Sequence, residues 1–322
     1  MKIRNSNGDV DPTSLGYQYA IRTTTALRAN SLKQKFFEVA PADYFTVAVG
    51  EGAWMQEIRT NVEYITSGSF ESGYMNTGQN QAQLPNVGIA LSNKNAKIKT
   101  WGMGYEYSIP ELELALASTN WDVVSGKTNA LKKVWDLGIQ KIGFLGAVSD
   151  TDIPGLLTNS DVTIDTTTIL SNLSALSASD FQAFVANVLA VYRLNANYTA
   201  WPNRFVIPED DWVGLGTATS PDFPIGDRIT YLENFFKRLT GRADFRVMPL
   251  VYGNKAQNTA SINHFRYALY NDDPETLRMD MPVPFQFINP TPRAISFEGA
   301  AVGQHTGCVV YRPREVVYFD HD

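Results

Sequence analysis

The chain has 322 residues, of which 44% are hydrophobic and 19% are charged, and its formal net charge is −6. This composition excludes a protein that is disordered throughout, and the length is enough for one large domain or two ordinary ones. Because the net charge is negative and no run of Lys or Arg exceeds two residues, we expect no dedicated nucleic-acid-binding surface.

The first segment, residues 1–43, is polar with a weak apolar pattern that ends at Ala40-Pro41. This pattern indicates an N-terminal arm with one anchored patch or, alternatively, a frayed terminus. The opening sequence MKIRNSNGDVDP lacks the apolar core of a signal peptide, and no apolar run approaches the ~18 residues that span a membrane. We therefore expect a cytoplasmic site of synthesis.

Residues 44–105 predict a long two-stranded hairpin with its base strands. The first strand bends at Gly50 and Gly52, a stretch rich in Gly, Asn, Gln and Ser follows, and a second strand returns to Trp101. Three lysines of the returning strand are spaced to share a face or an edge, namely Lys94, Lys97 and Lys99. A hairpin of this kind is marginal alone and needs a surface to lie on.

Two helices are predicted between Ser108 and Leu145. Ser108 precedes Pro110 and Glu111, which together mark a helix start. The pattern weakens near Gly126, and we predict a longer helix from about Lys127 to Leu145, roughly 27 Å in length. This helix is long enough to act as a strut, with Trp135 and Ile142 on its packed face.

Residues 149–275 predict a mixed α/β body. Ser179 and Gln182 have the spacing of a capping box, RFVIP at 204–208 is a strand, and a helix over 226–240 ends at Gly241. DFRVMPLVYG is a strand and HFRYALYN its expected partner. From Thr276 onward only strands are predicted, with five prolines at edges or strand ends. The whole pattern predicts an α+β protein.

Candidate chemistry is sparse. The acidic clusters Asp150/Asp152, Glu209/Asp210/Asp211 and Asp272/Asp273/Glu275 lie beside Pro or Gly, so turns or solvated faces are more probable than acid–base or metal sites. The histidines have no metal-ligand spacing; His264 is expected in a strand and His321 in solvent. Cys308 is the only cysteine and is expected to be a buried strand residue. We predict no cofactor, no metal and no enzyme.

Two passages carry a resemblance to a known family. YEYSIPELELALA at the helix entry and GAVSDTDIPGLLTNSDVT after the long helix resemble the major capsid protein of tailed bacteriophages, whose fold is shared with encapsulins. The resemblance extends to the order of elements over nearly the whole chain. It implies an N-terminal arm at 1–43, an extended hairpin loop at 44–105, a peripheral domain with a spine helix at 106–148 and 276–322, and an axial domain at 149–275.

The resemblance implies a structural subunit that assembles with its copies, as hexamers and pentamers, into an icosahedral shell enclosing double-stranded DNA. The DNA would be held without sequence-specific binding, scaffolding, portal or cement proteins are possible partners, and no membrane is involved. The expected location is the virion, after synthesis in the host bacterial cytoplasm. Inter-subunit contacts are predicted from position at eight residues: Trp54, Phe70, Tyr74, Met75, Lys97, Lys99, Phe285 and Phe287.

Two alternatives stay open at this stage. An encapsulin-type shell holding a cargo enzyme has the same fold, and the contents of the particle would separate the two. A monomeric hydrolase or carbohydrate-binding module that uses one acidic cluster would instead show a deep pocket and no assembly.

Overall fold

The computed structural model describes residues 37–71, 86–119, 122–217 and 227–322. The chain divides into two compact units. One contains the described residues up to Val39 together with Gly104–Lys133 and Ile288–Ala300, and the other contains Ala40–Met103, Val134–Phe287 and Ala301–Asp322. The predicted arm falls on residues that lie mostly outside the described ranges, and the predicted domain limits stay predictions.

Four strands come first in the chain. They are β1 (Thr46–Val49), β2 (Glu57–Ser67), β3 (Gly88–Lys97) and β4 (Lys99–Ser108). β2 and β3 pair antiparallel from Glu57 opposite Lys97 to Ser67 opposite Gly88, which confirms a hairpin. β4 leaves the hairpin and joins β11 in another sheet, so the hairpin ends at Lys97 rather than near residue 105.

Two helices follow, α1 (Ile109–Thr119) and α2 (Val123–Leu145). Ser108 caps α1 as predicted, since its Oγ accepts the backbone N–H of Glu111 at 3.2 Å. α2 begins four residues earlier than predicted, because Asp122 accepts the N–H of Ser125 at 3.0 Å and supplies an N-terminal cap. With 23 residues, α2 is about 34 Å long.

The largest sheet has five strands in the order β5-β13-β8-β6-β7. Its members are β5 (Thr163–Asp165), β6 (Arg204–Pro208), β7 (Arg246–Leu250), β8 (Phe265–Tyr270) and β13 (Val316–His321). The expected pairing of β7 with β8 is wrong, because β6 lies between them and pairs parallel with β7 and antiparallel with β8. Parallel pairing requires a crossover, which is made by two helices between β6 and β7.

These crossover helices are α4 (Glu209–Thr217) and α5 (Arg228–Thr240), and α3 (Ala178–Asn195) precedes them. α3 is capped by Ser177, which accepts the N–H of Asp180, so the predicted cap at Ser179 is wrong by two residues. α5 ends at Gly241 as predicted, with a φ of +69° that glycine adopts without steric cost. Apolar side chains of α3, α5 and the sheet form the main core.

The remaining elements are short helix α6 (Lys255–Asn258) and strands β9 (Leu277–Met281), β10 (Gln286–Arg293), β11 (Ser296–His305) and β12 (Cys308–Val310). β9 lies between β1 and β12, while β11 lies between β10 and β4. Cys308 is buried in β12, as predicted. β10 is an exposed edge strand that carries two prolines. In the described ranges, no helix is long and apolar enough to cross a membrane.

Candidate functional site

The β2–β3 hairpin exposes apolar side chains on both of its faces. Opposite residues of an antiparallel pair point to the same face, so Val62 and Tyr64 lie on one face. Ile65, Ile89 and Leu91 lie on the other. All five side chains are exposed, and Ile89 reaches 70%. Monomeric proteins seldom leave such apolar surface uncovered, so this hairpin is a candidate binding element.

Exposed aromatic residues continue this surface toward both ends of the hairpin. Phe70 is 83% exposed, and Trp54, in the turn before β2, is 65% exposed. The backbone of Trp54 has a φ of +64°, a costly conformation for a bulky residue, and its N–H donates to Oε1 of Gln304 at 2.9 Å. The structure thus exposes both predicted contact residues. Tyr74 and Met75 lie outside the described residues.

The base of the hairpin rests on the body of its own unit. Ala96 is the only buried residue of β2 and β3, and it packs with Val309, Tyr311 and the half-buried Ile58. The backbone N–H of Ile98 also donates to the carbonyl of Gln56 at 2.9 Å. Beyond this base, the described residues of the hairpin bury no side chain against their own chain.

Three lysines, which we call the hairpin lysines, pair with carboxylates of one loop, residues 147–161; two of them lie in β3, and Lys99 begins β4. Lys94 bonds Asp161, Lys97 bonds Asp152, and Lys99 bonds Asp150 at 2.6 Å. The ion pair with Lys99 lowers the pKa of the Asp150 carboxyl, and the hydrogen bond to Asp152 raises the pKa of Lys97. Lys97 and Lys99, predicted as contacts with another subunit, therefore make contacts within their own chain.

A cluster of aromatic rings surrounds Trp135 of α2. Its ring lies 5.2 Å from that of Trp101 and 6.0 Å from that of Phe285, centre to centre. Trp135 is buried, which confirms the predicted packed face, whereas Ile142 is only half-buried. Phe285 is half-buried within this cluster, and Phe287 packs edge-on against it while remaining 48% exposed. Phe287 is therefore the more accessible of the two predicted receiving residues.

His305 is buried beside Trp135, at a ring distance of 6.2 Å. Its Nδ1 has no hydrogen-bond partner among the described residues. Burial lowers the pKa of His305 from 6.5 to about 4, because a charged imidazolium is poorly solvated there.

This buried histidine predicts an acid-sensitive stability. Between pH 6.5 and 4 the unfolded chain binds the proton and the folded chain does not, so stability falls as the pH falls through this window. We expect a loss of about 3 kcal/mol at pH 4 relative to pH 7. Chemical unfolding of the His305→Leu variant should lack this component, whereas the variant His264→Gln, at a partly exposed histidine, should retain it. An identical pH profile for wild type and His305→Leu would contradict the assignment.

The acidic cluster at residues 209–211 does not form a solvated turn, contrary to the sequence-based expectation. It begins α4, and Asp211 is fully buried. Asp211 accepts hydrogen bonds from the N–H groups of Leu173 (2.8 Å) and Ser174 (2.9 Å) and from the hydroxyl of Tyr267 (2.9 Å). Its carboxylate therefore holds a loop against the sheet rather than facing a substrate.

The histidine assignments also change. His321 is buried, stacks on Phe265 at 5.1 Å and lies 3.2 Å from the hydroxyl of Tyr267, so the expectation of a solvated side chain is wrong. His264 lies one residue before β8 and its Nδ1 is 2.9 Å from Asp322. Among the residues that the structure describes, no group of three or more His, Cys, Asp or Glu is placed to hold a metal ion.

Sequence reasoning found part of this surface. It predicts contacts at Trp54 and Phe70 but not at the apolar residues of the hairpin strands, in VEYI and GIAL. Their signal is present in the sequence, because the polar stretch between the two strands supplies no apolar residues to cover them.

Comparisons with known proteins agree with the resemblance found in the sequence. A model of the family described as "Major capsid protein" matches residues 74–321, and no curated protein matches the chain. The capsid of Myoviridae phage XM1 superposes with a TM-score of 0.74 at 13% identity, covering 94% of this chain and 98% of that one. The capsid of cyanophage P-SCSP1u superposes with a TM-score of 0.57 at 13% identity, covering 100% of this chain and 99% of that one. A virus-like particle from Pyrococcus furiosus superposes with a TM-score of 0.53 at 12% identity, covering 88% of this chain and 92% of that one. The fold predicted from the sequence is therefore confirmed.

Proposed function

The chain belongs to the major capsid protein family and is a structural protein of a bacteriophage capsid shell, and from this premise we propose that the shell encloses double-stranded DNA. Its copies form hexamers and pentamers. The negative net charge suits a shell that encloses DNA without binding it tightly. Synthesis takes place in the host cytoplasm, and scaffolding, portal or cement proteins are candidate partners.

The observation that supports assembly most directly is the hairpin with two exposed apolar faces. The side chains of Tyr64 on one face and Ile89 on the other remain 51% and 70% exposed on their own chain. Because their own chain leaves these two faces uncovered, they are suited to contact with a neighbouring copy. Such a contact would bury apolar area and exclude water.

Within this proposal, the hairpin and its flanking turns lie on neighbouring subunits. Trp54 and Phe70 are accessible anchors, aromatic residues of the type that dominates interface energetics. Tyr74 and Met75 extend the same contact, and Phe285 and Phe287 belong to the receiving surface. Lys97 and Lys99 reach a neighbour only if their present ion pairs open.

Electron microscopy of the purified full-length protein tests the proposal. Closed particles that contain DNA when isolated from infected cells are the expected result. Particles that contain a folded enzyme in place of DNA would favour a nanocompartment, and a monodisperse monomer under every assembly condition would overturn the proposal.

We further propose that the chain catalyses no reaction, since the Asp150 and Asp152 carboxylates of the candidate acidic cluster are engaged in ion pairs. The double variant Asp150→Asn with Asp152→Asn should change only assembly or stability, since these side chains bond Lys99 and Lys97. The measurement is a screen for metal-dependent hydrolysis, with wild type and variant compared. An activity present in wild type and lost in the variant would overturn this view.

A further inference from the structure

Beside its packed base, the hairpin faces the rest of its unit across a cavity. This cavity has a volume of about 490 Å³. One wall is the hairpin base, with Lys94 and Lys97, and the opposite wall is the 147–161 loop, with Asp152 and Asp161. The charged groups that bond each other therefore come from the two opposite walls.

The carboxylate wall is firmly held. Pro154 accepts the N–H of Cys308 at 2.9 Å, Leu156 accepts the hydroxyl of Tyr318 at 2.5 Å, and Leu157 accepts a guanidinium N–H of Arg266 at 2.5 Å. Leu156 and Leu157 are also fully buried. The aspartates thus project from a fixed loop, and any movement at this junction belongs to the hairpin.

The lysine wall has little other support. The hairpin contributes one buried residue, Ala96, to a small apolar cluster at its base. The three ion pairs run in order along both partners, because residues 94, 97 and 99 meet 161, 152 and 150. We call these three pairs the charge ladder. Their side chains are partly exposed, and such pairs weaken strongly when salt screens them.

We propose that the charge ladder sets the direction in which the hairpin points, so that ionic strength controls the orientation of the hairpin in the free subunit. When the ladder is intact, the hairpin is held at Lys94 and Lys97 and the adjoining start of β4 is held at Lys99. The hairpin then has one orientation. When salt weakens the ladder, the apolar cluster around Ala96 acts as a pivot and the hairpin samples several orientations. The capsid role is not needed for this behaviour, which is a property of one chain.

Pulsed electron paramagnetic resonance on the full chain tests this proposal. Spin labels are attached at Glu63→Cys on the hairpin and Gln257→Cys on α6, both exposed, while the native Cys308 is buried and escapes labelling. We expect the distance distribution to broaden about twofold between ~0.01 M and ~1 M salt, as the Debye length falls from about 30 to about 3 Å.

Two charge variants distinguish the effect of the charge ladder from the effect of a change in net charge. Lys97→Glu should give the broad distribution even at low salt, whereas Lys141→Glu, an equal change of charge at an exposed position of α2, should not. The swap of Lys97→Asp with Asp152→Lys should restore the narrow distribution. Equal widths for wild type at both salt concentrations, or for Lys97→Glu and Lys141→Glu at low salt, would overturn the proposal.

Light scattering of the same samples adds a readout that rests on the proposed function. If the hairpin must point correctly to reach a neighbour, particle yield should fall in Lys97→Glu and not in Lys141→Glu. Salt-dependent distances in a protein that never assembles would support the ladder and count against the shell. Normal particles with unchanged distances would overturn the ladder and leave the shell intact.

Discussion

A subunit that lacks the hairpin tip should fold normally and fail to build shells. The change is deletion of residues 68–87, closed by an Asn-Gly turn. Ser67 and Gly88 are already opposite each other at the end of the paired strands, so the shortened hairpin keeps its register. Because the described part of this tip buries no residue on its own chain, the deletion should cost little folding free energy.

Assembly should nevertheless be lost, for a reason of scale. A specific interface typically buries ~800 Å² per partner, and an extended element that crosses a neighbour provides much of that area. Each subunit of a shell holds several neighbours, so losses at every contact reinforce one another. Circular dichroism should show a near-wild-type melt, and sedimentation should show only free subunits or capsomers.

A milder variant controls for the deletion itself. Replacing Ile65, Ile89 and Leu91 by Ser keeps the hairpin length and removes one apolar face. Because these side chains are exposed, their replacement should likewise reduce assembly and leave the melting temperature unchanged. Normal shells from the deletion variant would mean that the tip is a surface loop, and the proposal would lose its main physical support.

Truncation of Trp135 should have the largest effect on the folded chain. Its ring contacts Trp101, Phe285 and His305. Removing a buried Trp side chain costs about 3–5 kcal/mol, a large share of the ~5–15 kcal/mol that stabilises a domain. Trp135→Ala should therefore be insoluble or misassembled, and thermal unfolding of any soluble fraction should occur well below the wild-type temperature.

The adjacent residue provides the matched control. Val134 lies next to Trp135 on α2 and is 45% exposed, so Val134→Ala should change stability by less than about 1 kcal/mol. Gly303 offers an independent check, because a Cβ there would lie 2.3 Å from the Trp135 ring. Gly303→Ala should destabilise by overpacking. Near-normal stability of both Trp135→Ala and Gly303→Ala would contradict the packing described for this cluster.

The features that could be predicted from the sequence are those with local causes. Ser108 before Pro110 predicted the start of α1, and Gly241 predicted the end of α5, because caps act within one helical turn. The hairpin was predictable from its polar tip and its flanking strands. The hydrophobic spacing around Trp135 also indicated correctly which face of α2 is buried.

The features that could not be predicted depend on distant parts of the chain. The pairing of β6 with both β7 and β8 joins segments separated by two helices. Asp211 is buried because its partners come from a loop near residue 173 and from Tyr267. The partners of the three hairpin lysines lie 51 to 67 residues away. No local sequence pattern around these residues indicates partners that are so far away in the chain.

The position of β13 in the five-stranded sheet has a consequence for synthesis. β13 lies between β5 and β8, so β5 has no partner in the sheet until residues 316–321 have left the ribosome. Native pairing here spans much of the chain, which slows folding. A nascent chain without β13 therefore cannot complete this sheet, and β5 stays unconnected to β8 until β13 has been made.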